Sequence, residues 1–356
     1  LTEEMEDDVR NTLGVTGASK IVYYPKRNNL VFENYAYDLN TLRTVINDID
    51  GSVIVYASTR KTTHALYDSL KGSVEGECLV YNGGLTPDER TTNQNMFMSG
   101  DVRVMFATNA FGMGIDKGDI RGVIHVDLAG SVEQYAQEVG RAGRDGKTSR
   151  CIYMENAKSV NTQLWFLDTT YPDNSIITSL YLRLKHLADS KGVVRATNVD
   201  LARQLGIDSA FIASAKGILI SNNIIESKKC TEKIAKIKLI GSSEDLKEDK
   251  IIAAIVKYGF PVSGHIEFDM DFVAEQCNCA LSTVKTKLSK YDKAGELIYI
   301  APFRGNLVTL LNDISQLDFK ACDKKRSLAK TKMLDLVRFL KLSSEEKHSF
   351  LVDYFK

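Results

Sequence analysis

Residues Met105–His125 read MFATNAFGMGIDKGDIRGVIH, and residues Val132–Gly146 read VEQYAQEVGRAGRDG. The first stretch starts as an apolar strand, ends it at Ala107-Thr108, turns through Gly112 and Gly114, and reaches Asp116. Glycines just after a buried strand let the backbone approach a phosphate or sugar closely and accept positive φ. Thr108, Gly114 and Asp116 are therefore expected at the carboxyl edge of a parallel sheet, where such folds bind ligands. In the second stretch, a helix from Gln134 to Gly140 would deliver Gln137, Arg141 and Arg144 at i, i+4 and i+7, near one helical face. Two guanidinium groups aimed from a rigid element suit stabilisation of charge on a transferring phosphoryl group. The competing reading pairs them with Glu138 and Asp145 at the surface. The glycine-rich turn upstream favours the phosphoryl reading.

Outward from this core the pattern alternates. Short apolar runs (GSVIVYAS, ECLVYN, VRVMFAT, RGVIHVD, SRCIYM) are separated by segments of helical spacing such as RKTTHALYDSLK and DERTTNQNMFMSG. That order predicts βαβ units and a mostly parallel sheet, with strands buried on both faces. After Glu155 the texture changes to an amphipathic helix, ITSLYLRLKHLADSKG, then two short helices around Gly206, then the Lys-bearing, strand-like ESKKCTEKIAKIKLIG. Helices followed by a β-ribbon are the order of a winged helix. The order recurs from DKIIAAIVKYG to LIYIAPFRGNLVTLL, the latter read as a hairpin turning near Arg304-Gly305-Asn306. The expected organisation is an α/β lobe over 26–155, winged-helix-like α+β modules over 156–242 and 243–318, and C-terminal helices over 319–356.

Composition bounds the rest. The chain has 356 residues, 44% hydrophobic and 26% charged, with a formal net charge of +0, so composition gives no sign of nucleic acid and any surface that binds it would need local clustering of charge. No run of about 18 apolar residues suggests a membrane span. The six cysteines are scattered without a CxxC pair, which fits free thiols in a reducing cytoplasm. Cys277 and Cys279 lack the further ligands a zinc site needs.

ATNAFGMGIDKGDIRGVIH resembles motif V of superfamily 2 helicases in its RecQ-family form, and QEVGRAGRDG resembles motif VI. VIVYASTRKTTHALYDSL resembles motif IV, and YNGGLTPDERTTNQNMFMSG the segment that precedes motif V. The strong resemblance covers about residues 50–155. The opening LTEEMEDDVRNTLG resembles the end of a first helicase lobe, so residues 1–25 are expected to be its tail and the chain a piece of a longer protein.

The resemblance implies a RecA-like second lobe. In it, Arg141 and Arg144 would face the ATP γ-phosphate across a cleft, Arg144 as the arginine finger, with Gln137 sensing the nucleotide. Asp116 would contact the ribose or couple ATP to DNA. Ser58, Thr59, Arg60 and Thr108 would hold phosphates of a tracked single strand, and such contacts position without reading sequence. Lys216, Lys228, Lys229, Lys285, Lys287 and Arg304 would meet duplex DNA on the winged modules, with Phe303 as a candidate strand-separating aromatic. Departures from the family pattern include Asn82 where His is common and Gly118 where Pro or Ser is common.

A motor also needs a P-loop, GxxxxGK[ST]. The one GKT, Gly146-Lys147-Thr148, has Arg141 where the first Gly should stand, so it is a turn. ATP and Mg²⁺ are thus expected to be used by the whole enzyme together with a first lobe, and this chain alone is expected to lack ATPase activity. No zinc is expected in the chain, because Glu346 stands where relatives begin a cysteine cluster. The expected partners are single-stranded and duplex DNA and the first lobe, with no membrane. The alternative is a non-enzymatic DNA-binding or regulatory protein that keeps the lobe as a scaffold. An RNA helicase is disfavoured by the AFGMGIDK wording and the paired modules.

Overall fold

The computed structural model describes residues 9–15, 17, 27–112, 114–241 and 243–355. The expected first-lobe tail at residues 1–25 falls largely outside them. The chain divides into two compact units, residues 1–169 together with 323–356, and residues 170–322.

The first unit is a parallel α/β lobe. Its strands are β1 (Leu30–Ala36), β2 (Ser52–Tyr56), β3 (Cys78–Tyr81), β4 (Val104–Ala107), β5 (Ile120–His125) and β6 (Ser149–Glu155), in the spatial order β1-β6-β5-β2-β4-β3. Every pairing is parallel. The central strands are buried along their length, as near-continuous apolar runs require. Between them lie helices α1 (Leu39–Asn47), α2 (Arg60–Leu70), α3 (Pro87–Ser99) and α4 (Val132–Val139).

Local sequence sets each helix start. Asp38, Thr59 and Ser131 cap α1, α2 and α4 with side-chain oxygens, and Thr86 forms a capping box with Glu89 ahead of α3. Helix α5 (Ala157–Thr170) follows β6. The lobe is finished by the end of α13 (Phe319–Leu340) and by α14 (Ser344–Tyr354), which cover the β1 edge. There Phe32 meets Phe339 edge-on at 6.1 Å, Lys347 Nζ donates to Asn34 Oδ1 at 2.9 Å, and Lys332 pairs with Glu133 of α4 at 2.8 Å.

In the second unit the expected helices form, but the expected hairpins do not. The elements are α6 (Asn174–Leu187), β7 (Val193–Arg195), α7 (Asn198–Leu205), α8 (Ser209–Ser221), β8 (Ile225–Thr231), β9 (Ile234–Leu239), α9 (Glu244–Glu248), α10 (Lys250–Tyr258), β10 (Phe260–Val262), β11 (His265–Asp269), α11 (Met270–Gln276), α12 (Leu281–Lys293), β12 (Leu297–Ile300) and β13 (Arg304–Leu310). Strands β8 and β9, read from sequence as one ribbon, lie in different sheets, and so do β12 and β13. One sheet is β7-β13-β8 and the other β10-β11-β9-β12.

The two modules therefore exchange their wings. In each, a strand before a helix pair (β7, β11) and a strand after it (β8, β12) flank a middle strand that comes from across the junction (β13, β9). The boundary expected at 242/243 does not follow the sheets, because β13 completes the first module and β9 belongs to the second. At the junction Glu232 N–H donates to the Phe303 carbonyl at 2.9 Å. The Phe303 ring lies against Gly305, where a Cβ would meet it at 2.7 Å. Phe303 thus packs in a strand junction and not at a free hairpin tip. Local alternation could not reveal this, since either pairing buries the same residues.

Each module has its own core, one around Leu180, Leu201, Ile212 and Val308, the other around Ile237, Ile255, Val273 and Leu288. Lys216, expected on a DNA-facing surface, is only 4% exposed and donates to Asn198 Oδ1 at 3.2 Å. Burial pushes its ammonium pKa down.

Two outcomes follow. Thr231 and Arg304 are cross-strand partners, so replacing residues 232–303 with Asn-Gly should close a two-residue hairpin. The shortened module should keep its helical circular dichroism and melt cooperatively, and a non-cooperative melt would show that the two cores depend on each other. Lys216→Met should raise stability by about 1 kcal/mol at neutral pH by removing a desolvated charge. Because the folded pKa lies below the unfolded one, the unfolded state binds more protons, so wild-type stability should rise as pH climbs through the folded pKa towards the unfolded one. The variant, followed by thermal melts against pH, should lose that rise.

Candidate active site

The carboxyl ends of β2, β4 and β5 carry the segments singled out from sequence. After β4, Phe111 N–H bonds back to the Thr108 carbonyl at 2.9 Å, and the Tyr56 hydroxyl donates to the Phe111 carbonyl at 2.8 Å. Arg141 then donates through Nη1 to the Gly112 carbonyl. A Cβ at Gly112 would collide with that guanidinium, so any larger residue there has to displace Arg141. Arg141 is 7% exposed. Arg141, expected to face a nucleotide phosphate across a cleft, is thus buried in this lobe and ties the two motifs together from inside.

Gly143 is the pivot beyond it. Its φ is +55°, and a Cβ would strike Asn29, Ser149 and the Lys147 carbonyl. Its carbonyl accepts from Arg27 at 2.9 Å and from Asn29 at 2.8 Å. This tight turn throws Arg144 outward. Arg144 Nη1 lies 2.6 Å from Asp116 Oδ1, with the arginine side chain 37% exposed and the aspartate 87%. Gln137, on α4, and Gly114, with φ +79°, are exposed as well. Arg144, Asp116, Gln137 and Gly114 thus form the accessible part of the predicted site.

Beneath α4 lies a buried polar chain that sequence reading did not single out. His125 Nε2 sits 2.7 Å from Glu138 Oε2, Gln134 Nε2 donates to Glu138 Oε1 at 3.0 Å, and Gln134 Oε1 accepts from Gly130 N–H at 3.1 Å. His125 stacks on Tyr56 at 5.3 Å. These contacts fix the helix that leads into Arg141.

The strand-contact candidates divide. The Ser58 amide donates to Asp127 Oδ2 at 2.9 Å, and its hydroxyl accepts from Gln163 Nε2 at 3.0 Å. Burial raises the Asp127 pKa, while the Ser58 N–H opposes that rise. The Thr59 hydroxyl caps α2 at Thr62 N–H, 3.0 Å away, and Thr108 is buried. Arg60 alone of the four is exposed, lying over the Gly83-Gly84 turn. Asp127, two residues past β5, could have been suspected from sequence. Gln163 could not, since it is 105 residues from Ser58.

On the modules, Lys229 and Arg304 are exposed and Lys228 is exposed beside Glu226 at 3.1 Å. Lys285 is half-buried on α12. Lys287 is engaged with Asp249 at 2.8 Å, and Asp249, despite its burial, is held below the usual carboxylate range by Lys287, the Ile251 amide and Tyr291. Among the described residues no cluster of three or more His, Cys, Asp or Glu is arranged to hold a metal.

Residues 38–146 match the family model of the helicase conserved C-terminal domain. The chain is 35% identical over 170 residues to the ATP-dependent DNA helicase RecQ of Bacillus subtilis, covering 47% of this chain and 29% of that protein. It is 38% identical over 158 residues to the probable ATP-dependent DNA helicase RecS of the same organism, covering 43% and 32%. The chain thus spans about a third or less of the length of these curated relatives. The solved C-terminal domain of the DEAD-box protein Dbp5 overlaps 38% of this chain and 84% of its own at 26% identity, with a TM-score of 0.32. Residues 38–146 thus match a helicase conserved C-terminal domain, and the segment that carries them is similar to ATP-dependent DNA helicases of the RecQ type.

Proposed function

We propose that the chain serves as part of an ATP-dependent DNA helicase that tracks 3′ to 5′ on single-stranded DNA, with Arg144 as its arginine finger. The observation that carries this reading is the Arg144–Asp116 pair. It is a charged, half-exposed guanidinium at the carboxyl edge of a parallel sheet, held by one solvent-facing carboxylate. An exposed pair of this kind is worth little in water, so a nucleotide γ-phosphate can take the guanidinium at small cost. Asp116, released, can accept from a ribose hydroxyl.

Arg141 acts differently. It is a positioning residue that keeps the Gly112 turn and α4 in register. The chain has no P-loop, so the triphosphate and Mg²⁺ would be held by another lobe, and closure onto it would bring Arg144 to the developing charge. On the strand side, Arg60 is the group free to meet a phosphate, whereas Ser58 first needs Asp127 to yield its amide. The two wing-exchanged modules read as winged helices, with Lys228, Lys229 and Arg304 offered to duplex backbone.

In the two-lobed enzyme, Arg144→Ala should lower the kcat for ATP by about 10³-fold or more, with a much smaller change in KM. A kcat within threefold of wild type would remove the finger assignment. This chain alone should show no DNA-stimulated ATP hydrolysis. If Lys228 and Lys229 each neutralise a phosphate, Lys228→Ala with Lys229→Ala should flatten the log-log dependence of duplex affinity on salt by about 1.8, two contacts at roughly 0.9 each. An unchanged slope, measured by fluorescence anisotropy, would take the wing off the duplex.

A further inference from the structure

The four-stranded sheet β10-β11-β9-β12 has helices on one face only. On the covered face Ala235, Ile237, Phe268 and Leu297 are buried in the module core. Alternation sends the intervening residues outward, and the strand register fixes who stands beside whom. One outward row runs Phe260, Glu267, Lys236, Ile300 across the four strands. The next runs Val262, His265, Lys238, Ile298, with His265 one step on from the Ile266–Ile237 pair and so beside Lys238.

These rows are apolar at both ends and polar in the middle. Phe260 is 73% exposed, and Val262, Ile298 and Ile300 are each more than 40% exposed. Ile234, beside Asp269, extends the same face. Lys236 and Glu267 pair within the row at 2.5 Å. Contiguous exposed aliphatic side chains on a sheet face mark an interaction surface.

We infer that this face is covered by the same face of a second copy of the chain. The argument is self-complementarity, which a twofold interface requires. Consider a twofold axis lying in the interface along the strands, midway between β9 and β11. It lays β10 over the second copy's β12 and β11 over its β9. In the first row Phe260 then meets the partner's Ile300, and Glu267 meets the partner's Lys236. The pattern apolar, acid, base, apolar is the one that such an axis maps onto its complement. In the second row Val262 meets the partner's Ile298 and His265 meets the partner's Lys238, so the acid–base match is carried by the first row.

A single DNA strand would find one aromatic ring and a face on which Glu267 and Asp269 offset Lys236 and Lys238. An acidic partner would oppose Glu267 and Asp269. Two sheets stacked at about 10 Å with nearly aligned strands are an ordinary packing mode. The face is smaller than the roughly 20–30 residues a side of a standard interface, so the dimer is weak and depends on concentration.

The test is sedimentation velocity on the whole chain from about 1 to about 200 µM, a range that brackets a micromolar dissociation constant. The wild-type chain should pass from monomer to dimer across it. Ile300→Asp, at an exposed position, should weaken the dimer by about tenfold or more while circular dichroism and melting temperature hold. Lys236→Glu should weaken it similarly, and Lys236→Glu with Glu267→Lys should restore it, because the swap rebuilds both the internal and the intersubunit pairs. A chain that stays monomeric at the highest concentration overturns the inference. So does a dimer that Ile300→Asp leaves within threefold, since its interface then lies elsewhere.

Discussion

A single buried guanidinium joins the two segments on which the lobe's chemistry depends. Arg141 sits beneath the Gly112 turn and donates to its carbonyl, so the glycine-rich loop after β4 and the helix–turn after β5 move as one body. Two glycines make this possible for different reasons. Gly112 leaves room for the guanidinium, and Gly143 supplies a positive φ where neighbouring groups exclude a Cβ. Because a buried cation without partners is costly, the arrangement is close to all-or-none. The Tyr56 hydroxyl on Phe111 and the His125–Glu138 pair brace it from the sheet side. The consequence appears three residues on, where Arg144 is the first side chain released into solvent.

Much of this was legible in the sequence because it depends on local chain chemistry. Buried strands show as apolar runs, helix starts as Asp, Ser and Thr caps, and the site as glycines and arginines at fixed spacing. The helix periodicity placed Arg141 and Arg144 near one face, but spacing carries no information about depth. One of the pair turned inward because the Gly112 carbonyl lies beside it, a contact between residues 29 apart. Lys216 misled in the same way. Lysine is usually a surface residue, and α8 turns this one into the core. Asp127 and Gln163 occupy Ser58 through contacts that no local motif encodes.

The second unit marks the other boundary of sequence reading. Strands β8, β9, β12 and β13 were found where alternation put them, yet their partners were assigned by proximity along the chain. Neighbouring strands usually pair, and here the chain crosses between modules at residues 232–233 and again at 301–303. Both modules keep separate apolar cores, so the exchange adds connection without merging them. It also brings β9 into the middle of the four-stranded sheet, where Lys236 and Lys238 face outward between rows of exposed aliphatic side chains.

The central claim is that Arg144 leaves Asp116 for a nucleotide phosphate when the lobe meets its partner lobe. The most direct measurement is a crystal structure of the two-lobed protein with ADP, Mg²⁺ and a metal fluoride in the γ-phosphate position. The account predicts the Arg144 guanidinium within hydrogen-bonding reach of the fluoride, its bond to Asp116 broken, and Arg141 still on the Gly112 carbonyl. A closed, occupied site with Arg144 still paired to Asp116, or with Arg141 withdrawn from Gly112 to contact the fluoride in its place, would contradict it.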